Sequence, residues 1–270
     1  MRENRLAAFG GGAMVGMLGG LIGLGGAEFR LPLLIGVFGF AALEAIILNK
    51  AMSLVVVAFA LPFRAWTVPF ATLGSHWPVI ANLLAGSLLG AWLGAEWATQ
   101  LKSEMLYRII AVLLVAMAVV LLFGHRESQD GALLMGAMQT VAGILAGFGI
   151  GVVASLLGVA GGELLIPTLM LLFGIDIKLA GSLALAISLP TMLTGFARYS
   201  RDRSFAVLGQ NRGFALVMAV GSIAGAFLGG QLLGVVPDTV LLPLLAGILL
   251  ISAIKIWRHA GRPEVPRRFP

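Results

Sequence analysis

A stretch of glycines with one glutamate and one proline occurs twice in this chain, each time inside sequence that is apolar enough to lie in a lipid bilayer. The first copy is residues 20–32 and the second is residues 155–167. Their glutamates, Glu28 and Glu163, are 163 − 28 = 135 residues apart, and at that offset thirteen of the thirty-five positions from residue 20 onward are identical. Glycine clusters break membrane helices and leave backbone groups that protein or water in a cavity must satisfy. The paired breaks therefore need a functional explanation.

The composition indicates which class of protein carries these breaks. Hydrophobic residues make up 59% of the 270 residues and charged residues 11%, which is typical of a polytopic membrane protein and excludes a water-soluble domain of this size. The net charge of +6 is explained by basic residues in short cytoplasmic connections, so nucleic acid is not an expected partner. The chain has no cysteine, which excludes disulfides, thiol catalysis and cysteine metal sites.

Ten apolar segments follow one another in an order that repeats at the same offset. They are about residues 6–24, 29–38, 45–62, 78–98, 106–123, 132–157, 164–173, 179–197, 214–233 and 241–257. A helix that spans the bilayer needs about 20 apolar residues, so the second segment of each set is too short to cross alone.

These segments predict an all-α polytopic membrane protein of two homologous halves. Each half has about four spanning helices plus a short half-helix or re-entrant segment after a Gly-rich break. The predicted parts are a first transmembrane repeat (residues 1–124), a second transmembrane repeat (residues 125–257) and a disordered basic cytoplasmic tail (residues 258–270).

The charges do not decide how the two halves are oriented. The positive-inside rule places basic connections in the cytoplasm. Parallel halves leave Lys102, Arg108 and Lys178 on the outside, whereas inverted halves leave Arg64, Arg126 and Lys178 there. Each arrangement misplaces three basic residues, so both stay open.

Two helices in each predicted half carry small residues at every fourth position, which places those residues on one helix face. Such ladders let helix backbones approach closely in a membrane, so we predict that these faces are helix contacts. The ladders are Gly12, Gly16 and Gly20; Gly86, Gly90 and Gly94; Gly147, Gly151 and Ser155; and Gly221, Gly225 and Gly229.

The two breaks are the predicted backbone site. A half-helix that begins after a break points its amide groups, with their partial positive charge, at the break, where an anion can bind. Broken helices at corresponding positions of two repeats indicate a transporter's binding site. The alternative is that the glycines only permit a tight turn and that each glutamate caps a short helix. The predicted substrate-binding glycines are Gly23, Gly25, Gly26, Gly158, Gly161 and Gly162.

Glu28 and Glu163 are predicted to couple transport to protons. A carboxylate near the bilayer midplane is costly unless it is paired or protonated, and a carboxyl group buried in this way can carry a proton across the membrane. An ionised glutamate beside an anion site repels the anion, a conflict that disappears if proton and anion bind together. A structural cap is the alternative for both residues.

Arg30, Asn49 and Lys50 occur only in the first half, since the aligned positions of the second half are apolar. A cation and an amide inside apolar segments can complement an anionic substrate. Neutralisation of Glu28, or snorkelling of the long side chains to an interface, is the alternative. Ser188 adds a hydroxyl to the predicted substrate-binding residues. The site is thus expected to be symmetric in backbone and unequal in charge.

No catalytic set, metal site or cofactor site is predicted. The three histidines are far apart in sequence, and no nucleophile, base and orienting group occur together. Residues 23–26 are similar to a dinucleotide-binding fingerprint, but no strand precedes them. We therefore expect neither an enzyme nor a bound cofactor.

The paired motif, its place at the start of each repeat and the chain length resemble the sulfite exporter TauE/SafE family of membrane permeases. The resemblance rests on residues 23–26 with Pro32 and residues 158–162 with Pro167, and it covers nearly the whole chain. The family pattern has a fuller glycine triplet followed by an apolar residue, whereas glutamate follows both motifs here. The resemblance implies transport of small sulfur-containing anions such as sulfite, sulfoacetate or other organosulfonates across the inner membrane.

Together with this resemblance, the sequence predicts a secondary transporter, working as an exporter, that moves such an anion by alternating access with proton coupling. The expected location is the inner membrane with a cytoplasmic C-terminus. The expected partners are the anion, protons and the lipid bilayer, and a homodimer is a candidate assembly. Two alternatives stay open: a cation or metal transporter with Glu28 and Glu163 as ligands, and a non-transporting membrane scaffold subunit.

Overall fold

The apolar segments form α-helices in a computed structural model of the chain, because a helix pairs its backbone groups within one segment and needs no water to do so. The structure describes residues 5–22, 26–64, 68–123, 134–231 and 238–260. The helices are α1 (Arg5–Ile22), α2 (Ala27–Gly36), α3 (Ala42–Arg64), α4 (Phe70–Ser75), α5 (Trp77–Gln100), α6 (Ser103–Phe123), α7 (Gly136–Leu157), α8 (Gly162–Phe173), α9 (Ile177–Tyr199), α10 (Ala206–Gln210), α11 (Arg212–Gln231) and α12 (Asp238–Ala260).

Each predicted apolar segment lies on one of these helices, with ends that differ by at most four residues. The apolar pattern does not predict α4 and α10, because each is only five or six residues long and lies in a connection. A short 3₁₀-helix, Arg203–Phe205, precedes α10, and the Asp202 side chain accepts a hydrogen bond of 2.8 Å from the Ser204 amide at its start. The connection between α9 and α11 is therefore largely helical.

The last helix is longer than the apolar pattern predicts. α12 continues to Ala260, three residues into the segment predicted as a disordered tail. The first proline of the tail is Pro263, so nothing in residues 258–260 ends a helix. Residues 261–270 lie outside the described residues.

Four helices are long and apolar enough to cross a bilayer, and they contain the spans Ala42–Phe59, Trp77–Gln100, Gly136–Leu157 and Leu179–Tyr199. A fifth candidate among the described residues is the pair of segments Arg203–Gln210 and Arg212–Leu228, which meet at an angle of 71°. The helix Gly162–Phe173 is apolar but shorter. The all-helical membrane fold is confirmed, whereas the number of about four spans in each half stays a prediction.

The glycine ladders lie where α1 packs on α11. A Cβ added to Gly12 would overlap the carbonyl oxygen of Met218, and one added to Gly225 would overlap that of Ala13. Each helix thus presents glycine to a carbonyl group of the other. We call this contact the α1–α11 seam.

The same arrangement occurs where α5 packs on α7. A Cβ added to Gly90 would overlap the carbonyl oxygen of Phe148, and one added to Gly151 would overlap that of Ser87. We call this contact the α5–α7 seam. The prediction that the ladders are helix contact faces is confirmed at these positions, and each seam joins a helix of the first predicted repeat to one of the second.

Helix α3 lies between the two breaks and packs on helices beside both of them. It contacts α2, which follows the first break, and α7, which precedes the second. Its residues 45–50 are all fully buried, and they include Asn49 and Lys50. The polar residues of α3 are therefore held at the level of both breaks.

Candidate functional site

Each break ends in a glycine with a backbone conformation that other residues rarely adopt. Gly26, before α2, has a φ of 70°, and Gly161, before α8, has a φ of 79°. This left-handed region costs a residue with a Cβ about 1–2 kcal/mol. The carbonyl of each glycine accepts hydrogen bonds from the amides three and four residues later, so each half-helix starts directly at its break. Gly162 is the first residue of α8, and Gly23 and Gly25 lie outside the described residues.

Gly158 follows the last residue of α7, and both its backbone conformation and its close contact with α3 require glycine. Its φ is 67°, and an added Cβ would overlap the carbonyl oxygen of Ile46 in α3. A side chain at this position would therefore separate α3 from the second break. The predicted glycines of the second copy thus hold a close packing arrangement as well as a turn.

Glu28 and Glu163 lie in the first turns of the two half-helices, and the fold brings them together. Their exposed fractions are only 3% and 5%. The two carboxyl groups are close enough for their charges to interact. Oε1 of Glu28 and both oxygens of Glu163 have no hydrogen-bond partner in the part of the chain that the structure describes. We call these residues the glutamate pair.

Arg30 is fully buried one helical turn from the break and is held by one of its nitrogens. Its Nη1 donates to Oγ of Ser53 at 3.1 Å and to Oδ1 of Asn49 at 3.4 Å. Its Nε and Nη2 have no partner among the described residues. The guanidinium is near enough to Glu28 for their charges to interact, although no hydrogen bond joins them. The Nε–Nη2 edge is thus a pair of oriented donors for which the described residues supply no acceptor.

Asn49 connects the two breaks through its side-chain amide. Its Nδ2 donates to the carbonyl of Ala27, just after the first break, and to that of Leu157, just before the second, both at 3.0 Å. Both amide hydrogens are therefore engaged by the backbone, and its oxygen faces Arg30. In this arrangement Asn49 fixes the spacing of the breaks and orients the guanidinium.

Lys50 is fully buried but contacts α7 and not the glutamate pair. Its Nζ donates to the carbonyl of Ala154 and to Oγ of Ser155, both at 3.4 Å. Gly195 leaves the space that the ammonium group occupies, since an added Cβ would lie 2.9 Å from Nζ. The phenol of Tyr199 donates to the Ser155 carbonyl at 3.0 Å. The structure thus places the two buried cations of the first repeat in separate contacts.

Ser188 also lies at a break, and it is engaged by the backbone. Its Oγ donates to the carbonyl of Ala160 at 2.7 Å. The aligned serine of α3, Ser53, binds Arg30 instead. The two serines therefore occupy corresponding positions and make different contacts.

The site can bind a charged group because several of its buried side-chain atoms have no hydrogen-bond partner among the described residues. Six buried side-chain atoms in the described residues have no hydrogen-bond partner, and five of them belong to Glu28, Glu163 and Arg30. Buried polar atoms are normally paired because an unpaired one costs several kcal/mol or forces a change of protonation. Two unpaired donors and three unpaired acceptors at one place are able to hold an anion and a proton.

Comparison with known proteins agrees with this chemistry. The family model for the sulfite exporter TauE/SafE matches residues 5–256 of the chain. The chain belongs to the TauE/SafE family. No curated protein and no solved structure matches its sequence.

Membership of the TauE/SafE family, together with the apolar helices, makes the chain a multi-pass membrane transporter of sulfite or related sulfur anions. The family consists of transporters, which supports the expectation that this member is not an enzyme. The match covers both breaks, so the glutamate pair and Arg30 lie within the part of the chain that the family shares.

Two contributors to the site are absent from the predicted site residues. Ser53 is one, and its position four residues after Asn49 places both on the same face of α3, which is a signal that the sequence contains. The other is the carbonyl of Leu157. Every residue has a carbonyl, so no sequence pattern distinguishes this one.

Proposed function

We propose that this TauE/SafE family member is a secondary transporter, working as an exporter, of a small sulfur-containing anion such as sulfite or an organosulfonate. Arg30 binds the anion through its Nε–Nη2 edge, and the glutamate pair carries protons. The observation that carries the proposal is the set of unpaired donors and acceptors buried between the two half-helices. The N-termini of α2 and α8 add partial positive charge at the same place.

Alternating access is the proposed mechanism, with two homologous halves in inverted orientation. Helices α3 and α7 run in opposite directions, since Ile46 lies beside Gly158 and Lys50 beside Ala154. Helix α5 runs in the same direction as α7 and as α9, because residues further along α5 contact residues further along each of the other two helices. Helix α3 and its counterpart α9 are offset by 177 − 42 = 135 residues at their starts and run in opposite directions. This supports inverted over parallel halves.

The proposed location is the inner membrane with a cytoplasmic C-terminus. Lys255 and Arg258 lie near the end of α12, and the sequence after it contains three more arginines. The positive-inside rule places such a basic end in the cytoplasm.

A cation transporter is the second candidate, because two facing carboxylates are also ligands for a metal ion. Arg30 opposes it, since a buried guanidinium beside Glu28 repels a cation. The described residues also contain no group of three or more His, Cys, Asp or Glu side chains that could hold a metal ion. A scaffold subunit is the weaker alternative, because it leaves the cost of the unpaired buried charges unexplained.

The test is sulfite efflux from proteoliposomes that contain the purified protein. We expect efflux well above that of protein-free liposomes, and we expect Arg30→Leu to abolish the difference. Arg108→Leu is the matched control, since Arg108 is an exposed cation on α6 paired with Glu104. Efflux equal to that of protein-free liposomes, together with uptake of a divalent cation, would favour the cation transporter.

A further inference from the structure

We infer that the site loads one monovalent oxyanion together with one proton, so that each transport step is electroneutral and divalent anions are excluded. The inference rests on the proposed function and goes further, since it names the charge of the substrate and the proton stoichiometry. It follows from the charges that are buried together and from the hydrogen-bonding atoms that they leave free.

The free edge of Arg30 selects an anion with two oxygens on one atom. Nε and Nη2 lie side by side on the planar guanidinium, and both lack a partner among the described residues. Such an edge donates two parallel hydrogen bonds to a carboxylate, sulfonate or sulfite group. A single-atom anion such as chloride meets this geometry less well. The orientation of the edge is fixed, because Nη1 is held by Ser53 and Asn49.

The empty site is neutral when the glutamate pair holds one proton. We assign one proton to the pair, because two buried carboxyl groups that are close enough to interact do not both ionise out of water. The single remaining negative charge then balances the positive charge of Arg30. Asn49 and Ser53 complete the surroundings of Arg30 without charge.

Other titratable groups do not enter this balance. The helices packed on α2 and α8 are α1, α3, α6, α7, α9 and α12. The titratable side chains that the structure describes on these helices are Arg5, Glu44, Lys50, Glu104, Tyr107, Arg108, Arg198, Tyr199, Lys255 and Arg258, whereas the side chains of Arg64, Lys178, Asp238 and His259 lie outside the described part.

Several of these groups have their interactions elsewhere. Lys50 donates to α7, and Arg198 pairs with Glu96 of α5. Lys255 lies beside Gly36, at the other end of α2 from the break.

Binding of the substrate adds one negative charge, from the anion, and one positive charge, from a proton, to the buried site. A monovalent oxyanion takes the free edge of Arg30 and neutralises it, which leaves the negative charge of the pair unbalanced beside the new anion. One proton from water then joins the ionised carboxylate, and the loaded site is neutral again. A divalent anion leaves one buried negative charge even when both glutamates are protonated, which is costly out of water.

The test uses probes whose charge does not change with pH: methanesulfonate as the monovalent anion and methanedisulfonate as the divalent one. Proteoliposomes contain a trapped pH indicator, and valinomycin with potassium gradients sets the membrane potential. We expect one proton to enter with each methanesulfonate, at an initial rate that does not change with the sign of the potential. We expect methanedisulfonate to enter roughly tenfold or more slowly, because of its unbalanced buried charge.

Glutamine variants test which group carries the proton. The double variant Glu28→Gln/Glu163→Gln should carry methanesulfonate without a proton, at a rate that now responds to the potential. Each single variant keeps one titrating carboxyl group and should keep one proton per anion. Glu104→Gln is the matched control on the exposed surface of α6, and it should also keep this ratio. If the double variant does not fold, the two single variants decide.

The outcomes separate the inference from the proposed function. Wild-type uptake that follows the membrane potential, or comparable entry of both probes, overturns the inference and leaves an anion transporter. A folded double variant that still moves one proton per anion overturns it as well, as does loss of proton movement in either single variant. If no anion enters at all, the proposed function and the inference both fail.

Discussion

The break before α2 and the break before α8 have similar backbones and different surroundings. Gly26 and Gly161 share the same left-handed conformation, and a glutamate follows each of them by two residues. The first break is surrounded by Arg30 and the Asn49 amide, whereas the second has a serine hydroxyl on its backbone. The backbone of the site is therefore present twice, but its cation is present once.

Under the proposed function, this inequality predicts that one anion binds in each transport cycle. An anion between the two half-helices meets partial positive charge from both N-termini. Only on the side of α2 does it also meet a guanidinium, since the position aligned with Arg30 is Leu165. Substitutions that exchange residues between the two breaks test whether this difference determines function.

The largest expected effect on anion affinity comes from Arg30→Leu, which gives the first break the leucine found at the aligned position of the second. It removes two charge-assisted hydrogen bonds to the anion, each contributing about 1.5–3 kcal/mol, so we expect affinity for methanesulfonate to fall at least about 100-fold. The thermal stability of the empty protein should also fall, because Arg30→Leu leaves the buried negative charge of the glutamate pair without its balancing cation. Titration calorimetry and thermal unfolding measure the two quantities.

Two further variants define the limits of this expectation. Lys50→Met removes the other buried cation and should weaken binding much less, because Lys50 contacts α7. Arg30→Leu combined with Leu165→Arg should not restore binding, since Ala184 stands where Asn49 would orient the new guanidinium. Restored affinity in that variant would show that the two breaks are interchangeable.

An intermediate effect is expected from Asn49→Ala, which gives α3 the residue of α9. The carbonyls of Ala27 and Leu157 lose their donor, at a cost of about 1–3 kcal/mol each. We expect the free energy of unfolding to fall by about 2–4 kcal/mol, and affinity to fall roughly tenfold because Arg30 is less well oriented.

Asn82→Ala is the control for this variant. Asn82 donates one hydrogen bond of 2.9 Å to the carbonyl of Thr140, away from the breaks. Its removal should cost about 1 kcal/mol in stability and leave affinity close to that of the wild type. Equal losses of stability in the two variants would contradict the role of Asn49 as the connection between the breaks.

The smallest effects are expected from the two aligned serines, and they should differ in kind. Ser53→Ala removes a hydrogen bond from Arg30 and should weaken anion binding about fivefold, with little change in stability. Ser188→Ala removes the bond to Ala160 and should lower stability by about 1 kcal/mol, with a smaller change in affinity. Weaker binding in Ser188→Ala than in Ser53→Ala would mean that the anion contacts the second break more closely.

Much of this site was predictable because the duplication aligns it. The offset between Glu28 and Glu163 identified both half-helices, and the position of Arg30 in only one copy predicted an unequal charge distribution. Apolar length likewise predicted the helices within four residues, since a membrane segment must pair its own backbone.

The partners of these residues were not predictable, because they depend on contacts between distant parts of the chain. Asn49 reaches Leu157 across 108 residues of sequence, and Lys50 reaches Ser155 across 105. The glycine ladders indicated contact faces but not which helix each face meets. Such pairings are set by tertiary packing, which a single sequence does not encode in any local pattern.

The two glycine seams have a consequence for how the protein is made. Helix α1 finds its backbone partner in α11, which begins at Arg212, and α5 finds its partner in α7, which begins at Gly136. The α1–α11 seam therefore cannot form until α11 has been synthesised. A chain cut after residue 124 would contain α1 and α5 but neither of their seam partners, so we expect the first predicted repeat not to pack stably on its own.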